Sequence, residues 1–279
     1  MRSLLDTVEK LIDRDAPVLI LGESGAGKNY LAEAIHACGA RRDRPFVHID
    51  CASIPHDLFE SELFGYEKGT FTDAQSRKIG KLEAAQEGTV YFDEIAALSQ
   101  PLQAKLLRAI EAKQFTRLGG HQPITFAARV ISSTNVGLDT LRRDLLYRIN
   151  VVTLTMLPLR ERREDIPLLI GDRDVDAEAL ELLMTYSWPG NVRELRNVIE
   201  RAALLHPGAT ISASALPPEL RDAPALVDAG VREQWTLEQL EERYIREVLR
   251  ATKENYSRAA NILGINRKTL LEKRKKYGI

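Results

Sequence analysis

We predict an α/β fold in which a parallel sheet has helices on both faces, followed by segments that are entirely helical. The first observation is that apolar, strand-like runs alternate with amphipathic helical segments as far as Pro158, a pattern typical of parallel sheets. The second is that only helical periodicity continues after Pro158. The third is a glycine-rich stretch from Gly22 to Asn29, which joins the first strand to a helix.

Short apolar runs bounded by polar or turn-forming residues identify the strands of the sheet. They are predicted at residues 18–21, 46–50, 88–94, 128–135 and 151–154. Gly119 and Gly120 separate two further short runs, 115–118 and 124–126, and this spacing predicts a hairpin. Residues 65–75 are predicted to form a polar loop, because few of them could join a core.

Apolar residues at intervals of three and four predict helices between and after the strands. These helices are expected at residues 1–15, 30–38, 58–64, 80–86, 98–113, 138–146, 177–186, 191–205 and 236–252, with two more closing the chain. A stretch rich in Pro, Ala and charge interrupts this pattern and predicts a linker. The predicted domains are therefore an α/β core at 1–158, a helical lid at 159–216, the linker at 217–234 and a C-terminal helical domain at 235–279.

The composition is that of a soluble globular protein, with 44% hydrophobic and 28% charged residues. The sequence contains no apolar run near the roughly 20 residues that a membrane span needs. The first ten residues do not have the pattern of a signal peptide. Cys38 and Cys51 are too few for a disulfide framework. We therefore expect a cytoplasmic protein without a membrane partner.

The glycine-rich stretch has the context of a phosphate-binding loop, because it follows the strand at 18–21 and opens a helix. Its glycines allow backbone N–H groups to wrap a polyphosphate, and the helix N-terminus adds its positive dipole. Lys28 supplies a positive charge for the β- and γ-phosphates. The alternative is a glycine turn that arose by chance. The predicted nucleotide-binding residues are Gly22, Glu23, Ser24, Gly25, Ala26, Gly27, Lys28 and Asn29.

Asn29 occupies the position at which such loops usually have a Ser or Thr that binds magnesium. An amide oxygen is a weaker magnesium ligand than a positioned hydroxyl, so we expect the metal to depend on other groups as well. Asp93 and Glu94 end a hydrophobic strand about 65 residues after the loop. In a phosphate-loop enzyme the first carboxylate organises magnesium and the second activates or orients the attacking water. The alternative is a solvated strand end.

Three arginines and an asparagine are further candidates. Asn135 ends the next strand, where it could orient water or the γ-phosphate; the alternative is a helix N-cap. Arg142 and Arg148 could stabilise charge on the transferred phosphoryl group, including across a subunit interface. From the residues alone, ordinary surface arginines are the better interpretation of this pair. Arg193 could reach the phosphates from the helical lid.

The last 23 residues, 257–279, contain seven basic residues and one acidic residue, although the net charge of the chain is only −1. Ala259 and Ala260 permit close packing of two helices, and Gly264 suits the turn between them. This pattern predicts a helix-turn-helix that places its second helix in the major groove of DNA. The alternative is a basic amphipathic surface helix. The predicted DNA contacts are Asn266, Arg267, Lys268, Thr269, Lys273 and Arg274.

Taken together, these motifs resemble the bacterial enhancer-binding proteins, the AAA+ activators of sigma-54 RNA polymerase. The resemblance covers nearly the whole chain and is specific at the blocks 63–69, 92–95, 144–148 and 188–195. It implies an AAA+ core, a helical lid and a Fis-like helix-turn-helix. It also implies ATP and Mg²⁺ as cofactors, a ring-shaped homo-hexamer, dimerisation through the DNA-binding domain, enhancer DNA as a ligand and remodelling of the closed polymerase complex.

The resemblance also implies a role for each candidate residue. Residues 22–29 correspond to the Walker A motif, in which the family normally has an acidic residue at position 29. Asp93 and Glu94 correspond to Walker B, and Asn135 to sensor I. Arg142 and Arg148 correspond to the arginine fingers and Arg193 to sensor II. Phe71 and Thr72 resemble the pair that contacts sigma-54.

The sequence departs from the family at several positions. The sigma-contacting loop normally reads Gly-Ala-Phe-Thr-Gly-Ala, whereas here Thr70 and Asp73 replace its alanine and second glycine. Asp73 adds a negative charge and lacks the conformational freedom of glycine. Asp50 replaces an asparagine that restrains the catalytic glutamate, and an ionised carboxylate cannot donate the same hydrogen bond.

Two more departures concern the lid and the start of the chain. The lid looks shortened between Ile170 and Ala177, which is expected to weaken the ring. The family usually has a segment ahead of Met1 that helps to hold adenine, so we expect either control in trans or a start further upstream. The leading prediction is an ATP-hydrolysing activator that acts with sigma-54. The alternative is a DNA-binding regulator with the same fold that does not act through sigma-54.

Overall fold

The computed structural model describes residues 2–71, 74–135, 137–221, 230, 234–252 and 255–279. Its strands are β1 (Val18–Leu21), β2 (Phe46–Asp50), β3 (Gly65–Tyr66), β4 (Lys78–Ile79), β5 (Thr89–Asp93), β6 (Gln114–Phe115), β7 (Ile124–Thr125), β8 (Arg129–Thr134) and β9 (Val152–Thr155). A five-stranded sheet has the order β2-β5-β8-β1-β9, and all its pairings are parallel. The predicted parallel sheet is therefore confirmed.

The helices fill the connections between the strands. They are α1 (Arg2–Leu11), α2 (Lys28–Ala37), α3 (His56–Phe64), α4 (Lys81–Ala84), α5 (Gln100–Ala112), α6 (Arg143–Ile149), α7 (Ile166–Ile170), α8 (Ala177–Thr185), α9 (Asn191–Leu205), α10 (Pro218–Arg221), α11 (Leu237–Ala251), α12 (Tyr256–Leu263) and α13 (Arg267–Tyr277). None of the helices in the described part of the chain is long and apolar enough to cross a membrane.

Two local predictions need correction. The helix expected at 138–146 is a short 3-10 turn, Leu138–Thr140, followed by α6. Leu141 and Arg142 have extended backbones between them, and Arg142 forms the N-cap of α6, so the helical periodicity spans a break. The loop expected at 65–75 begins with β3, which pairs with β4 in an antiparallel arrangement. The partner strand β4 lies outside residues 65–75, so the periodicity of this stretch could not identify β3.

The chain divides into two compact units. Unit 1 contains the chain up to Leu169 together with Trp188–Asn197. Its sheet has buried side chains on both faces: Val90 and Phe92 of β5 belong to one apolar cluster, and Tyr91 between them belongs to another. Successive side chains of a strand point to opposite faces, so helices cover both sides of this sheet.

Unit 2 contains Ile170–Ser187 and Val198–Ile279. At its C-terminal end α11, α12 and α13 enclose a small core. The buried members of that core are Ile245, Val248, Leu249, Ala259, Ala260 and Leu270. Gly264 ends α12 with a left-handed backbone, and Asn266 caps α13. The predicted helical pair with Gly264 in its turn is therefore present.

The predicted domain boundaries remain predictions, because the two compact units divide the chain differently. Residues 222–229 and 231–233 of the predicted linker lie outside the described residues, and α10 occupies part of its beginning. Between α7 and α8 the chain has a short turn that contains Gly171 with a left-handed backbone, where the sequence suggested a shortened lid.

Candidate functional site

The predicted nucleotide-binding residues meet at the carboxyl edge of the main sheet. Residues 22–29 follow β1, Asp93 and Glu94 end β5, and Asn135 follows β8. The N–H group of Gly22 donates to the carbonyl of Thr134 at 3.4 Å, which joins the loop to the end of β8. Ligands of open α/β sheets bind outside the carboxyl ends of the strands, so the position suits a binding site.

Two glycines of the loop are required by its geometry. Gly25 has a φ of +74°, and a Cβ atom there would lie 2.3 Å from the carbonyl oxygen of Gly190. Gly27 has a φ of +101° and precedes the first residue of α2. A residue with a side chain is strained at such angles, so the glycines allow both the turn and its close packing.

Lys28 is 5% exposed and lies at the centre of the site. Its ammonium donates to the carbonyls of Gly22 at 2.9 Å and Glu23 at 3.3 Å. The same ammonium lies 3.1 Å from Oε1 of Glu94. The other carboxylate oxygen of Glu94 accepts from the backbone N–H of Asn135 at 2.9 Å. The structure therefore brings together the three residues predicted to bind the γ-phosphate and activate water.

Asp93 is held by three neighbours at the end of the strands. Ser133 donates to its Oδ1 atom at 2.6 Å, the Tyr91 hydroxyl lies 3.1 Å from the same atom, and Nε2 of His48 lies 3.8 Å from Oδ2. Burial raises the pKa of Asp93, but hydrogen bonds from His48, Ser133 and Tyr91 outweigh burial and hold that pKa well below its usual range. Asp93 is therefore ionised at neutral pH.

The Tyr91 hydroxyl links Asp93 to the phosphate-binding loop. It lies 2.8 Å from Oδ1 of Asn29 and 2.9 Å from Oγ of Ser133. With one proton, it can donate to one of these oxygens at a time. Burial raises the pKa of Tyr91, so the hydroxyl keeps its proton and remains a donor. Asn29 thus lies beside the Asp93 carboxylate, where its amide oxygen could share a cation.

The oxygen atoms of this corner fit magnesium. Mg²⁺ prefers oxygen ligands and usually combines one or two carboxylates with water and substrate phosphates. Asp93 offers an ionised carboxylate, and Asn29 offers an amide oxygen linked to it through Tyr91. Among the residues that the structure describes, no cluster of three or more His, Cys, Asp or Glu could form a metal cage without other ligands. If Asp93 and Asn29 bound a cation, water and phosphate would have to supply its remaining ligands.

Asp50 stands at the end of β2, directly opposite Asp93 in the register of the sheet. Its carboxylate accepts from the N–H groups of Ala52 at 3.0 Å and Ser53 at 3.1 Å. This carboxylate therefore closes a local turn after β2. The catalytic candidate Glu94 takes its contacts from Lys28 and from the backbone of Asn135.

Arg193 contacts the phosphate-binding loop, and its predicted role at the phosphates remains a prediction. Its guanidinium donates to Oγ of Ser24 at 3.0 Å. Arg160 forms a two-pronged ion pair with Glu23, with N–O distances of 2.7 and 2.9 Å. Hydrogen bonds from Arg160 and from Asn191 lower the pKa of Glu23 to about 2. Both arginines therefore lie against the loop itself.

The arginine finger candidates lie on α6. Arg142 occupies the N-cap position immediately before α6, where its side chain pairs with Asp144 at 2.7 Å, and Arg148 is exposed on α6. The first sigma-contact candidate, Phe71, is 45% exposed and packs edge-on against Tyr66 at a centroid distance of 4.8 Å. Thr72 and Asp73 lie outside the described residues. The roles of these residues remain predictions.

The DNA-contact candidates divide into three pairs. Arg267 and Lys268 are exposed in the first turn of α13. Asn266 and Thr269 bond to each other, since the Asn266 side chain accepts from the N–H group of Thr269 at 2.8 Å and from its hydroxyl at 3.0 Å. This pair caps the helix.

The other two candidates have partners within the bundle. Lys273 forms an ion pair with Glu241. Arg274 donates at 2.5 Å both to the hydroxyl of Tyr256 and to the carbonyl of Ile279. The structure therefore gives these residues, and Arg274 in particular, contacts that stabilise the bundle.

Several residues at the site were missed by the sequence reasoning. Tyr91 had a usable signal, because it lies two residues before Asp93 and so faces the same side of β5. Ser133 and His48 come from neighbouring strands, and their proximity depends on strand order and register. Asn191 and Arg160 follow the sheet in sequence, and no local pattern connects them with residues 22–29.

Comparison with protein families gives consecutive matches along the chain. Residues 1–155 match the Sigma-54 interaction domain, residues 160–229 match the AAA+ ATPase lid domain, and residues 236–277 match the Fis family of bacterial regulatory proteins. The first match alone covers more than half of the 279 residues.

Among curated proteins, the chain is 43% identical to the regulatory protein AtoC of Escherichia coli over 100% of this chain and 66% of AtoC. It is 37% identical to the DNA-binding transcriptional regulator NtrC of Rhizobium meliloti, covering 100% of this chain and 68% of NtrC. The chain thus spans about two thirds of the length of these relatives.

Among solved structures, NtrX from Brucella abortus in complex with ATP matches 100% of this chain and 68% of NtrX, with 34% identity and a TM-score of 0.71. Its complex with ADP gives a TM-score of 0.73 at 34% identity and the same coverage. A closed-state reconstruction of Hsp104 matches 68% of this chain and 40% of Hsp104 with a TM-score of 0.53 at 17% identity, a likeness of fold alone.

Proposed function

Because the chain belongs to the Sigma-54 interaction domain family, with an AAA+ lid and a Fis-type DNA-binding region, we propose that it is an ATP-hydrolysing transcriptional activator. Its task would be to remodel closed complexes of sigma-54 RNA polymerase. The observation that supports this most is the meeting of Lys28, Asp93 and Glu94 at one edge of the sheet. Those residues are the parts that ATP hydrolysis requires at a phosphate-binding loop.

In this proposal, Lys28 holds the β- and γ-phosphates and Glu94 orients and deprotonates the attacking water. Glu94 shares the ammonium of Lys28 at 3.1 Å. A triphosphate would compete with this carboxylate for the ammonium, since both are anions, and would free Glu94 for the water. Binding and activation of the glutamate would thus be coupled through one side chain.

Magnesium would be held by Asp93, with Asn29 beside it, and would neutralise charge on the phosphates when bound. The low pKa of Asp93 keeps its carboxylate ionised for that purpose. Ser133 and Tyr91 fix the orientation of the carboxylate through Oδ1. Arg193, which contacts Ser24, would add positive charge from the lid side of the loop.

The proposed assembly is a ring-shaped homo-oligomer, with a hexamer as the finer expectation. Arg148 is exposed on α6, and Arg142 is partly exposed immediately before it, as residues that act on a neighbouring subunit's nucleotide must be. The C-terminal bundle would bind double-stranded enhancer DNA, with Arg267 and Lys268 toward the groove and dimerisation through this domain. The relatives AtoC and NtrC are regulators, and NtrC is named as DNA-binding.

Contact with sigma-54 would be made by Phe71 and Thr72. Phe71 presents an exposed aromatic ring that Tyr66 supports from one side. The alternative is a regulator that keeps the fold without acting through sigma-54, and it rests on Asp73, Asp50 and the shortened lid. The match of residues 1–155 to the Sigma-54 interaction domain favours the activator.

The test is binding of the full chain to purified sigma-54 in the presence of ADP and aluminium fluoride, which together mimic the transition state of phosphoryl transfer. We expect a complex on a native gel that requires the nucleotide and disappears with Phe71→Ala. The variant should still hydrolyse ATP at the normal rate, because Phe71 packs against Tyr66 of β3 in a loop other than residues 22–29. ATP hydrolysis without any sigma-54 complex would refute the activator and leave the alternative.

A further inference from the structure

Every backbone carbonyl from Gly22 to Gly27 accepts a hydrogen bond. The carbonyls of Gly22 and Glu23 accept hydrogen bonds from the Lys28 ammonium. The carbonyl of Glu23 also accepts from the N–H group of Ala26 at 3.2 Å, and the carbonyl of Gly27 accepts from the N–H group of Leu31 at 3.1 Å. These donors belong to the loop or to the helix that follows it. The carbonyls between them are held by residues from a distant part of the chain.

Three donors reach the middle of the loop. Nδ2 of Asn191 donates to the carbonyl of Ser24 at 3.0 Å, and the N–H group of Val192 donates to that of Gly25 at 3.0 Å. The guanidinium of Arg162 donates to the carbonyl of Ala26 at 2.6 Å. All three belong to unit 1, although Arg162 and Ala26 are 136 residues apart in sequence.

A trans peptide points its N–H group away from its C=O group. A carbonyl that is held on one side of the loop therefore directs the following N–H group to the other side. Phosphate binding by a glycine-rich loop depends on N–H groups that point at the ligand, and glycines by themselves allow each peptide plane to turn over. The donors from outside the loop remove that freedom.

Asn191 is suited to hold the loop because its own position is fixed. It is fully buried, its backbone has a φ of +53°, and its Oδ1 atom accepts from the N–H group of Leu159 at 2.8 Å. Its Nδ2 atom also donates to the Glu23 carboxylate at 3.1 Å. A buried amide in which both ends are bonded has a single orientation.

Arg162 is the second fixed donor. It is 4% exposed and lies 3.6 Å from the carboxylate of Asp165. Burying a guanidinium costs free energy unless the group is paired. The placement of Arg162 against a carbonyl of the loop therefore requires a compensating gain in free energy. Its partner Asp165 and its target Ala26 together set its direction.

We propose that Asn191 and Arg162 are positioning residues for nucleotide binding, which hold the carbonyls of Ser24 and Ala26 outward so that the neighbouring N–H groups face the phosphates. This proposal rests on the proposed ATPase function and deepens it. Neither residue touches the nucleotide in this scheme. Their effect is expected on the affinity for phosphates and on the KM for ATP more than on kcat.

The experiment measures ADP affinity by calorimetry and the KM and kcat for ATP on the full chain. Asn191→Asp keeps the shape, the acceptor toward Leu159 and a residue type that tolerates a positive φ, but it removes the donor to Ser24. Arg162→Met removes the donor to Ala26, and Arg162→Lys restores a shorter cationic donor. We expect Asn191→Asp and Arg162→Met to weaken ADP binding and raise KM by about tenfold, with partial recovery in Arg162→Lys.

A double variant separates the two bonds of the Asn191 amide. Asn191→Asp places a second carboxylate beside Glu23, and adding Glu23→Gln restores an amide–carboxylate pair without restoring a donor to Ser24. We expect the double variant to recover thermal stability while ADP binding stays weak. Recovery of ADP binding to the wild-type value would overturn the role assigned to the Ser24 carbonyl.

The matched control is Arg129→Met. Arg129 is a buried arginine of the same unit that donates to the carbonyls of Leu11 and Ile12, at the end of α1. The Arg129→Met substitution should lower the melting temperature and leave ADP affinity within about twofold of wild type. If Asn191→Asp and Arg162→Met fold and bind ADP as tightly as wild type, the positioning role is wrong but the proposed function stands. If the folded wild-type chain does not bind ADP, both the positioning role and the proposed function are wrong.

Should Asn191→Asp fail to melt cooperatively, the two Arg162 variants decide the question. Loss of ADP affinity in Arg162→Met together with an equal loss in Arg129→Met would count against a positioning role, because it would show that any lost buried arginine weakens the site. The expected pattern is a loss confined to residues that hold the loop.

Discussion

The nucleotide site and the C-terminal bundle both place basic residues in the first turn of a helix, but in different surroundings. Lys28 is 5% exposed and shares its ammonium among two carbonyls and Glu94. Arg267 and Lys268 begin α13 and are exposed. The neighbours of Lys28 fix the position of its ammonium, whereas the exposed side chains of Arg267 and Lys268 can adjust to a ligand.

Because of this difference, single substitutions should have larger effects in the nucleotide site than on the DNA-binding surface. In a buried network each group has few partners and little water to replace a lost one, so one change costs much. On an exposed surface, cations act mainly by releasing counterions from DNA, and their contributions are individually small and add up.

The largest effect is expected for Lys28→Met. Loss of the ammonium removes both the phosphate contact and the partner of Glu94, so we expect ATP hydrolysis to fall about 100- to 1,000-fold. Steady-state ATPase assays would measure it. Lys105→Met is the matched control, because Lys105 also pairs with a glutamate, Glu60 at 2.6 Å, but lies on α5. Equal losses in the two variants would contradict the central role of Lys28.

The next effect concerns the close packing of the phosphate-binding loop. Gly25→Ala combines a φ of +74° with a Cβ atom 2.3 Å from the carbonyl oxygen of Gly190, and we expect a loss of about 3 kcal/mol in the free energy of unfolding. Gly171 has a φ of +70°, and, apart from Gly171 itself and its two chain neighbours, no described residue has a heavy atom within 4 Å of the position that a Cβ atom would take there. Gly171→Ala should therefore cost only about 1 kcal/mol.

Urea denaturation of both glycine variants provides the measurement. The difference between them isolates steric closure of the loop from backbone strain, since the two positions have nearly the same φ. Equal destabilisation would show that the contact with Gly190 relaxes at no cost.

A smaller effect is expected on the DNA-binding surface. Arg267→Ala should weaken DNA binding about tenfold and reduce the slope of log K against log salt by about 0.9, if the arginine contacts a phosphate. Arg274→Ala should instead lower the melting temperature, because Arg274 holds Tyr256 and Ile279 within the bundle. Salt titrations of DNA binding and thermal melts would distinguish the two. An unchanged salt slope together with unchanged DNA affinity in Arg267→Ala would remove this residue from the interface.

The smallest effect concerns the Glu23–Arg160 pair, which is partly exposed. The folded pKa of Glu23 is about 2, below its ordinary value of 4.5, so the ion pair stabilises the fold above pH 4.5 and that contribution is lost as the pH falls toward 2. Glu23→Gln should therefore cost at most about 1 kcal/mol at pH 7, and the difference from wild type should shrink below pH 4.5. Unfolding curves of both proteins at several pH values would measure this difference in the free energy of unfolding.

The contrast between the two regions also shows what could be predicted. The pairing of a glycine loop with Asp93 and Glu94 was predictable, because strand periodicity, turn residues and carboxylates at strand ends are local signals. The helix-turn-helix was predictable for the same reason, since Gly264 and Asn266 mark the ends of its helices. The break before α6 was not, because helical spacing continues across two residues with extended backbones.

Local sequence patterns were enough to predict the alternation of strands and helices, the phosphate-binding loop, the carboxylate pair and the basic C-terminal helices. The folded chain was needed to show that Tyr91, Ser133 and His48 surround Asp93, because three neighbouring strands supply them in one register. It was also needed to show that Asn191 and Arg162 hold the carbonyls of the loop. Local patterns record the period of a helix or a strand, whereas contacts between distant residues depend on how the whole chain packs, and no short stretch of sequence contains that information.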